Sequence, residues 1–172
     1  MAVIAKQGFP EHVSLSERYV GHAQISITYP GMIDCVCVTG YSSAGLLGTH
    51  VSPGEDEAEL RETLRLLSMA GGKSCSAWTL VGHFSKHLVN TRVAWWNTRE
   101  KIAKALRASI DKSAVIQLFD SGALYENGGY GHGYDIVVTR DPPNLKVLCR
   151  LSGQSHQNEP LMPVTGTSRR MI

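Results

Sequence analysis

The sequence predicts an α+β fold in which a mixed or largely antiparallel β-sheet or sandwich carries two main helices. Three observations lead there. Short apolar runs alternate with period two, as in YVGHAQISITY (19–29) and IDCVCVTGY (33–41). Two segments, after Ser52 and after Asn97, repeat apolar residues at helical spacing. The resulting order is strands, helix, strand, helix, strands, and two helices covering a sheet is the economical way to bury both.

Along the chain, residues 1–18 read as an irregular or extended lead-in. Residues 19–29 form a strand with Ile25 and Ile27 on one face, closed by a turn at Tyr29-Pro30-Gly31. Residues 33–41 form a second strand, residues 42–45 a turn, and residues 46–51 (LLGTHV) a short strand ending at Ser52-Pro53. The first helix opens with Ser52 as N-cap, Pro53 in the first helical position and Glu55 completing a capping box. Leu60, Leu64 and Leu67 form its apolar stripe, and Gly71-Gly72 stops it. Residues 75–84 return as a strand. The second helix covers 97–111, capped by Asn97 or Thr98, with Ile102, Leu106 and Ile110 as its stripe. Strands follow at 114–119, 133–139 and 145–151. The last two form a hairpin around Asp141-Pro142-Pro143-Asn144. From about Ser152 the chain is a polar tail expected to fray. No internal repeat or low-complexity block interrupts this order, so residues 1–172 read as one catalytic-type domain.

The composition narrows the function. A chain of 172 residues with 42% hydrophobic and 19% charged residues is a globular protein able to bury a core, not a disordered one. A net charge of +2, from scattered Lys and Arg, argues against a nucleic-acid partner, which needs clustered cations. No apolar run approaches the roughly 18–20 residues that span a bilayer, so no membrane partner is expected. The N-terminal MAVIAKQGFPEHVSLSER lacks the pattern of a secretory signal. Cys35, Cys37, Cys75 and Cys149 therefore read as reduced cytosolic thiols. Delivery to a host cytosol without a cleaved signal fits the same composition.

The chemistry concentrates at Cys35 and His50. Cys35 and Cys37 share one face of their strand, with Val36 and Val38 on the other. His50 follows fifteen positions later (50 − 35), on the next strand. A hairpin of that length lays the imidazole beside the start of the cysteine strand, the arrangement that activates a thiol nucleophile. The loop-like stretch 31–34 would offer backbone N–H groups as an oxyanion site. Cys37, deeper in the strand, reads as core, where cysteine packs as a small hydrophobe.

Other features point less directly to chemistry. His83 and His87 are four apart, which suits a metal only on a helix, and they fall in and just beyond a predicted strand. A zinc site from Cys35, Cys37, His50 and a further ligand lacks the usual CxxC spacing. The glycine-rich NGGYGHG (127–133) precedes a strand rather than a helix, so it reads as a flexible turn and not a phosphate loop. Trp95-Trp96 reads as core or interface packing.

These residues, taken in order, resemble the cysteine-dependent protein glutamine deamidases, which include the chemoreceptor deamidase CheD and the catalytic domain of the cytotoxic necrotizing factor toxins. GMIDCVCVTGY stands where that superfamily has its cysteine strand, and LLGTHVSPG where it has its histidine strand. ELRETLRLLSMAGG matches the following helix, SAWTLVGHF the next strand, and VIQLFDSGALYENGGYGHGYDIVVT the late strand, glycine-rich turn and strand. The likeness in element order covers roughly residues 25–150. It departs at Ile33-Asp34, where the family has a small residue or glycine.

The resemblance implies a bacterial amidohydrolase with Cys35 as nucleophile and His50 as proton shuttle. Thr28 or Tyr29 would be the third polar residue, orienting His50. It implies no cofactor, and a protein substrate presenting an exposed glutamine, either one of the cell's own signalling proteins or a host protein met as an effector. The alternatives are an inactive relative that only binds partners, and another Cys–His hydrolase acting as protease or transamidase.

Overall fold

Alternating β-branched, apolar and aromatic residues build two facing sheets. The computed structural model describes residues 3–4, 10–33, 35–52, 55–82, 99–110, 115–121, 133–142, 144–152, 162–163 and 169–171. One sheet has seven strands, in the spatial order β1 (Val3–Ile4), β3 (Tyr19–Ala23), β6 (Gly45–Val51), β5 (Val36–Ser42), β7 (Ala77–Gly82), β8 (Val115–Asp120) and β12 (Arg169–Met171). The other has five: β11 (Met162–Pro163), β10 (Asn144–Leu151), β9 (Tyr134–Asp141), β4 (Ser26–Met32) and β2 (His12–Ser14). Pairing is antiparallel except for β1 with β3, β7 with β8, and β2 with β4. Two α-helices, α1 (Glu57–Met69) and α2 (Arg99–Ser109), complete the described secondary structure together with a 3₁₀ turn at Gly72–Ser74. Among the described residues no helix is long and apolar enough to cross a membrane.

The alternation along β5 sorts the core into two layers. Val36 and Val38 join Val51, Leu60, Leu64, Leu67 and Leu106 in a cluster between the seven-stranded sheet and the helices. Cys35 and Cys37 point the other way, into a cluster between the sheets with Ile27, Tyr29, Ile136 and Val138. The predicted α+β fold with two helices packed on sheets is the one observed. Leu60, Leu64 and Leu67 are all buried, each stabilising by about 1.5–3 kcal/mol. Leu106 and Ile110 are buried on the second helix side; the side chain of Ile102 and the candidate caps Asn97 and Thr98 lie outside the described residues.

Several boundaries differ from the sequence reading. The run 19–29 is not one strand. It breaks at Gln24-Ile25, where the two N–H groups donate to the carbonyls of Pro10 and Glu11 at 2.9 and 2.8 Å. β3 and β4 thus belong to different sheets, and Ile25 at the corner is 43% exposed while Ile27 is buried. The lead-in is extended in two places: β2 pairs with β4, and β1 with β3. The tail is not wholly frayed, since β11 and β12 pair with β10 and β8. Tyr29-Pro30-Gly31 does not end its strand. The register shifts between Tyr29 and Met32, and Gly31 sits at φ +65° within this bulge, a conformation glycine adopts without steric cost. The final hairpin is as expected, with Asp141 paired to Asn144 across a two-residue connection.

Helix α1 starts one turn later than Ser52 predicts. Its N-cap is Asp56, whose carboxylate accepts from the Glu59 N–H at 2.8 Å, while the Glu59 carboxylate accepts from the Asp56 N–H at 3.0 Å. This capping box is worth about 1 kcal/mol. Ser52 and Glu55 instead form a preceding turn. The Glu55 N–H donates to the Ser52 carbonyl, and the Ser52 N–H to Glu55 Oε1, both at 3.1 Å. Pro53 and Gly54 lie outside the described residues. At the far end Gly71 takes φ +107°, the left-handed conformation of a helix stop.

Glu55 is buried, with Thr63 donating to its other oxygen at 3.4 Å. Burial pushes its carboxyl pKa up, against the opposing pull of the Ser52 N–H and the Arg18 charge. The folded state therefore holds this proton more tightly than the unfolded chain. Stability falls as pH rises from the unfolded value near ~4.3 through the folded pKa. Glu55→Gln keeps an acceptor for the Ser52 N–H and removes that dependence. Thermal midpoints measured from about pH 4 to about pH 7 should show the wild type losing stability relative to the variant. Parallel curves would refute this.

Candidate active site

The register of β5 against β6 pairs Cys37 with His50 and Val36 with Val51. Cys35, one pleat before Cys37, is therefore the diagonal neighbour of His50 on the face turned toward the second sheet. The sequence reading placed these two side chains together, and they are together. A third group joins them. The Cys35 sulfur, a His50 ring nitrogen and a Glu17 carboxylate oxygen all lie within 4.8 Å of one another. The Cys35 thiol donates to Glu17 Oε1 at 3.4 Å. Cys35 is 5% exposed and His50 1%, whereas Glu17 is exposed, so the thiol sits directly beneath a surface carboxylate.

Residues 15–18 form a strap across the imidazole. The Leu15 N–H donates to the Thr28 carbonyl at 2.8 Å, and the Arg18 N–H to the His50 carbonyl at 2.7 Å. Arg18 adopts φ +69°, unusual for a residue with a side chain. His50 Nδ1 lies 3.1 Å from the Leu15 carbonyl oxygen. A carbonyl can only accept, so Nδ1 carries the hydrogen and Nε2 keeps its lone pair. Nε2 is buried and has no hydrogen-bond partner. Burial lowers the His50 pKa, partly opposed by the Leu15 carbonyl and the Glu17 charge. Burial thus favours the neutral ring, in which Nε2 keeps its lone pair.

Of Thr28 and Tyr29, the two candidates for orienting His50, Tyr29 meets the ring by packing, while the ring's hydrogen bond goes to the main-chain carbonyl of Leu15. Strand alternation explains why. Thr28 and Tyr29 face opposite sides of β4, and only Tyr29 points between the sheets. Its ring meets His50 edge-on, centroids 5.9 Å apart. Its hydroxyl turns away, lying 2.6 Å from Thr39 Oγ1 and donating to the Val38 carbonyl at 3.2 Å. With its one hydrogen spent on Val38, it accepts from Thr39. Tyr29 packs the imidazole in place, and Thr28 lends only its carbonyl to the strap.

The expected oxyanion donors in 31–34 are partly committed elsewhere. The Gly31 N–H donates to Asp135 Oδ1 at 3.1 Å and to Ser152 Oγ at 3.2 Å. Asp135, itself buried, also accepts from the Ser152 hydroxyl at 2.6 Å and pairs with Arg150 at 3.3 Å. This network ties the bulge before Cys35 to β9 and β10. Asp34 lies outside the described residues, as do His83, His87, Trp95, Trp96 and all of the glycine-rich stretch except Gly133.

The other thiols are unsuited to nucleophilic work. Burial pushes the Cys37 thiol far above its usual range, the Cys75 thiol up to about 11, and the Cys149 thiol also upward. A thiol held protonated is a poor nucleophile. Glu17 is the site residue that sequence reasoning missed. It is eighteen positions before Cys35 (35 − 17), in a stretch with no periodicity, and only the strap brings it to the sulfur. Comparison with protein-family models, curated proteins and solved structures finds no significant match.

Proposed function

We propose that this chain is a thiol-dependent amidohydrolase that deamidates glutamine side chains presented by a protein substrate. The observation that carries the reading is the juxtaposition of the Cys35 thiol with a neutral His50 whose Nε2 is unpartnered. The choice of glutamine rests on the resemblance of the Cys35 and His50 strands to the deamidases named above.

In this reaction His50 Nε2 takes the thiol proton once the Glu17 contact opens, and the sulfur attacks the carboxamide carbon. The C–N bond breaks as His50 returns the proton to nitrogen, and ammonia leaves a thioester. His50 then takes a proton from water. The resulting hydroxide attacks the thioester carbon, the C–S bond breaks, and the proton returns to sulfur. The product is a glutamate side chain and the resting thiol. The Leu15 carbonyl keeps Nδ1 protonated throughout, so that Nε2 is always the nitrogen that exchanges protons.

A protein substrate suits the position of the thiol beneath an exposed turn. A glutamine side chain is short, and most binding energy has to come from surface contacts around it. Incubation with candidate proteins, followed by intact-mass analysis and ammonia assay, tests the reading. The expected result is ammonia release with the mass change of an NH₂ replaced by OH, and very poor turnover of free glutamine. Hydrolysis of free glutamine at a rate comparable with any protein would point to a metabolic amidase instead. A cut substrate chain would point to a protease.

A further inference from the structure

We propose that Glu17, Cys35 and His50 form a binding site for a zinc ion. Their sulfur, nitrogen and oxygen donors converge within 4.8 Å, on three separate segments of the chain. Tetrahedral zinc with bonds of roughly 2.0–2.3 Å sets its ligands about 3.3–3.7 Å apart. The Cys35–Glu17 separation of 3.4 Å already meets that spacing. The other two separations, each within 4.8 Å, both involve His50 and have to close by up to about 1 Å when the ion binds.

The histidine supplies an independent argument. Metal-bound imidazoles characteristically donate their second ring N–H to a carbonyl or carboxylate, which fixes the tautomer and aims the other nitrogen. His50 already does this through Nδ1 to Leu15, and leaves Nε2 buried with nothing to bond. A buried polar atom without a partner is costly, and a metal ion would relieve that cost. Charge also balances. A thiolate, a carboxylate and a neutral imidazole carry two negative charges against the two positive charges of zinc. Binding releases the Cys35 thiol proton to solvent. Three protein ligands leave a fourth position for water.

The consequence for catalysis rests on the reading of Cys35 as nucleophile. Zinc draws charge from the Cys35 sulfur and occupies the His50 nitrogen that must take and return the proton, so the metal-bound chain is the inactive form of the proposed enzyme. The ion acts as a reversible inhibitor that protects the thiol.

The test uses the full chain stripped with chelator and titrated with ZnCl₂ by equilibrium dialysis, with CoCl₂ as a spectroscopic substitute. Expected are one tight equivalent of zinc, a raised thermal midpoint, and a thiolate-to-cobalt charge-transfer band. Cys35→Ser should lose the band. Glu17→Gln, a surface change that does not endanger folding, should keep the band and bind zinc about 10-fold or more weakly. Absence of the band, its survival in Cys35→Ser, or equal zinc affinity in Glu17→Gln and wild type would overturn the site. The two readings fail separately. Deamidation by a chain that binds no zinc overturns the metal site alone, and tight zinc binding by a chain whose metal-free form deamidates nothing overturns the proposed activity alone.

Discussion

Cys35→Ser is expected to lower ammonia release by at least ~10³-fold, since removing the nucleophile of a covalent mechanism removes its main path. The thermal midpoint should shift little, because Cys35 lies at the edge of the inter-sheet cluster beside an exposed carboxylate. Cys37→Ser should do the reverse. Cys37 is fully buried between the sheets, and a hydroxyl there costs about 1–3 kcal/mol. In a chain of this size that is a fall of roughly 2–12 °C in thermal midpoint, with activity per folded molecule retained. Ammonia assays and thermal melts on the two purified variants separate the roles. Unchanged activity in Cys35→Ser would remove the catalytic assignment, and loss of activity confined to Cys37→Ser would move the nucleophile one pleat along the strand.

Gly48→Ala is expected to be strongly destabilising. Gly48 lies two residues before His50 on β6 and so shares its face toward the second sheet. A Cβ there would run into the Tyr29 hydroxyl, and would come within 2.9 Å of Ile27 Cδ1. Neither neighbour has room to yield, since Tyr29 and Ile27 are both fully buried. Overpacking of this kind costs about 1–3 kcal/mol, and breaking the Tyr29–Thr39 hydrogen bond adds roughly 1 kcal/mol. The thermal midpoint should fall by roughly 4–16 °C. Because Tyr29 packs edge-on against His50, alkylation of Cys35 should also change in rate. A variant as stable as the wild type would show that Tyr29 is not held by Gly48.

The elements most legible in the sequence are those whose pattern depends only on near neighbours. Alternation assigns Cys35 and Cys37 to one face and Val36 and Val38 to the other, and the spacing of Leu60, Leu64 and Leu67 locates α1. The hairpin that brings His50 to Cys35 follows from a short turn between two strands. Other features depend on distant partners and leave no local trace. Ser52-x-x-Glu55 and Asp56-x-x-Glu59 both fit a capping box. The helix begins at Glu57 with both bonds of the Asp56–Glu59 box in place, so the second box is the one used, and the Ser52 N–H to Glu55 bond closes a separate turn before it. Which of Thr28 and Tyr29 faces the imidazole is decided by the pairing of β4 with β9, more than a hundred residues on. Leu15 and Glu17 enter the site through main-chain bonds to Thr28 and His50, which no side-chain pattern announces.

The pairing of Tyr29 with Ile136 bears on the order in which the molecule comes into being. Glu17, Cys35 and His50 leave the ribosome before the strand that pairs with β4, and Ile136 is 107 residues (136 − 29) behind its partner Tyr29. At a synthesis rate of roughly 5–20 residues per second, about 5–20 s separate the two. Through that interval the nascent chain carries its thiol, imidazole and carboxylate without the second sheet that fixes their geometry. Sheets closed by such distant pairings also form slowly once the strands are present. The surroundings of Cys35 and His50 are therefore completed by the later emergence of β9 and not by the synthesis of the cysteine itself.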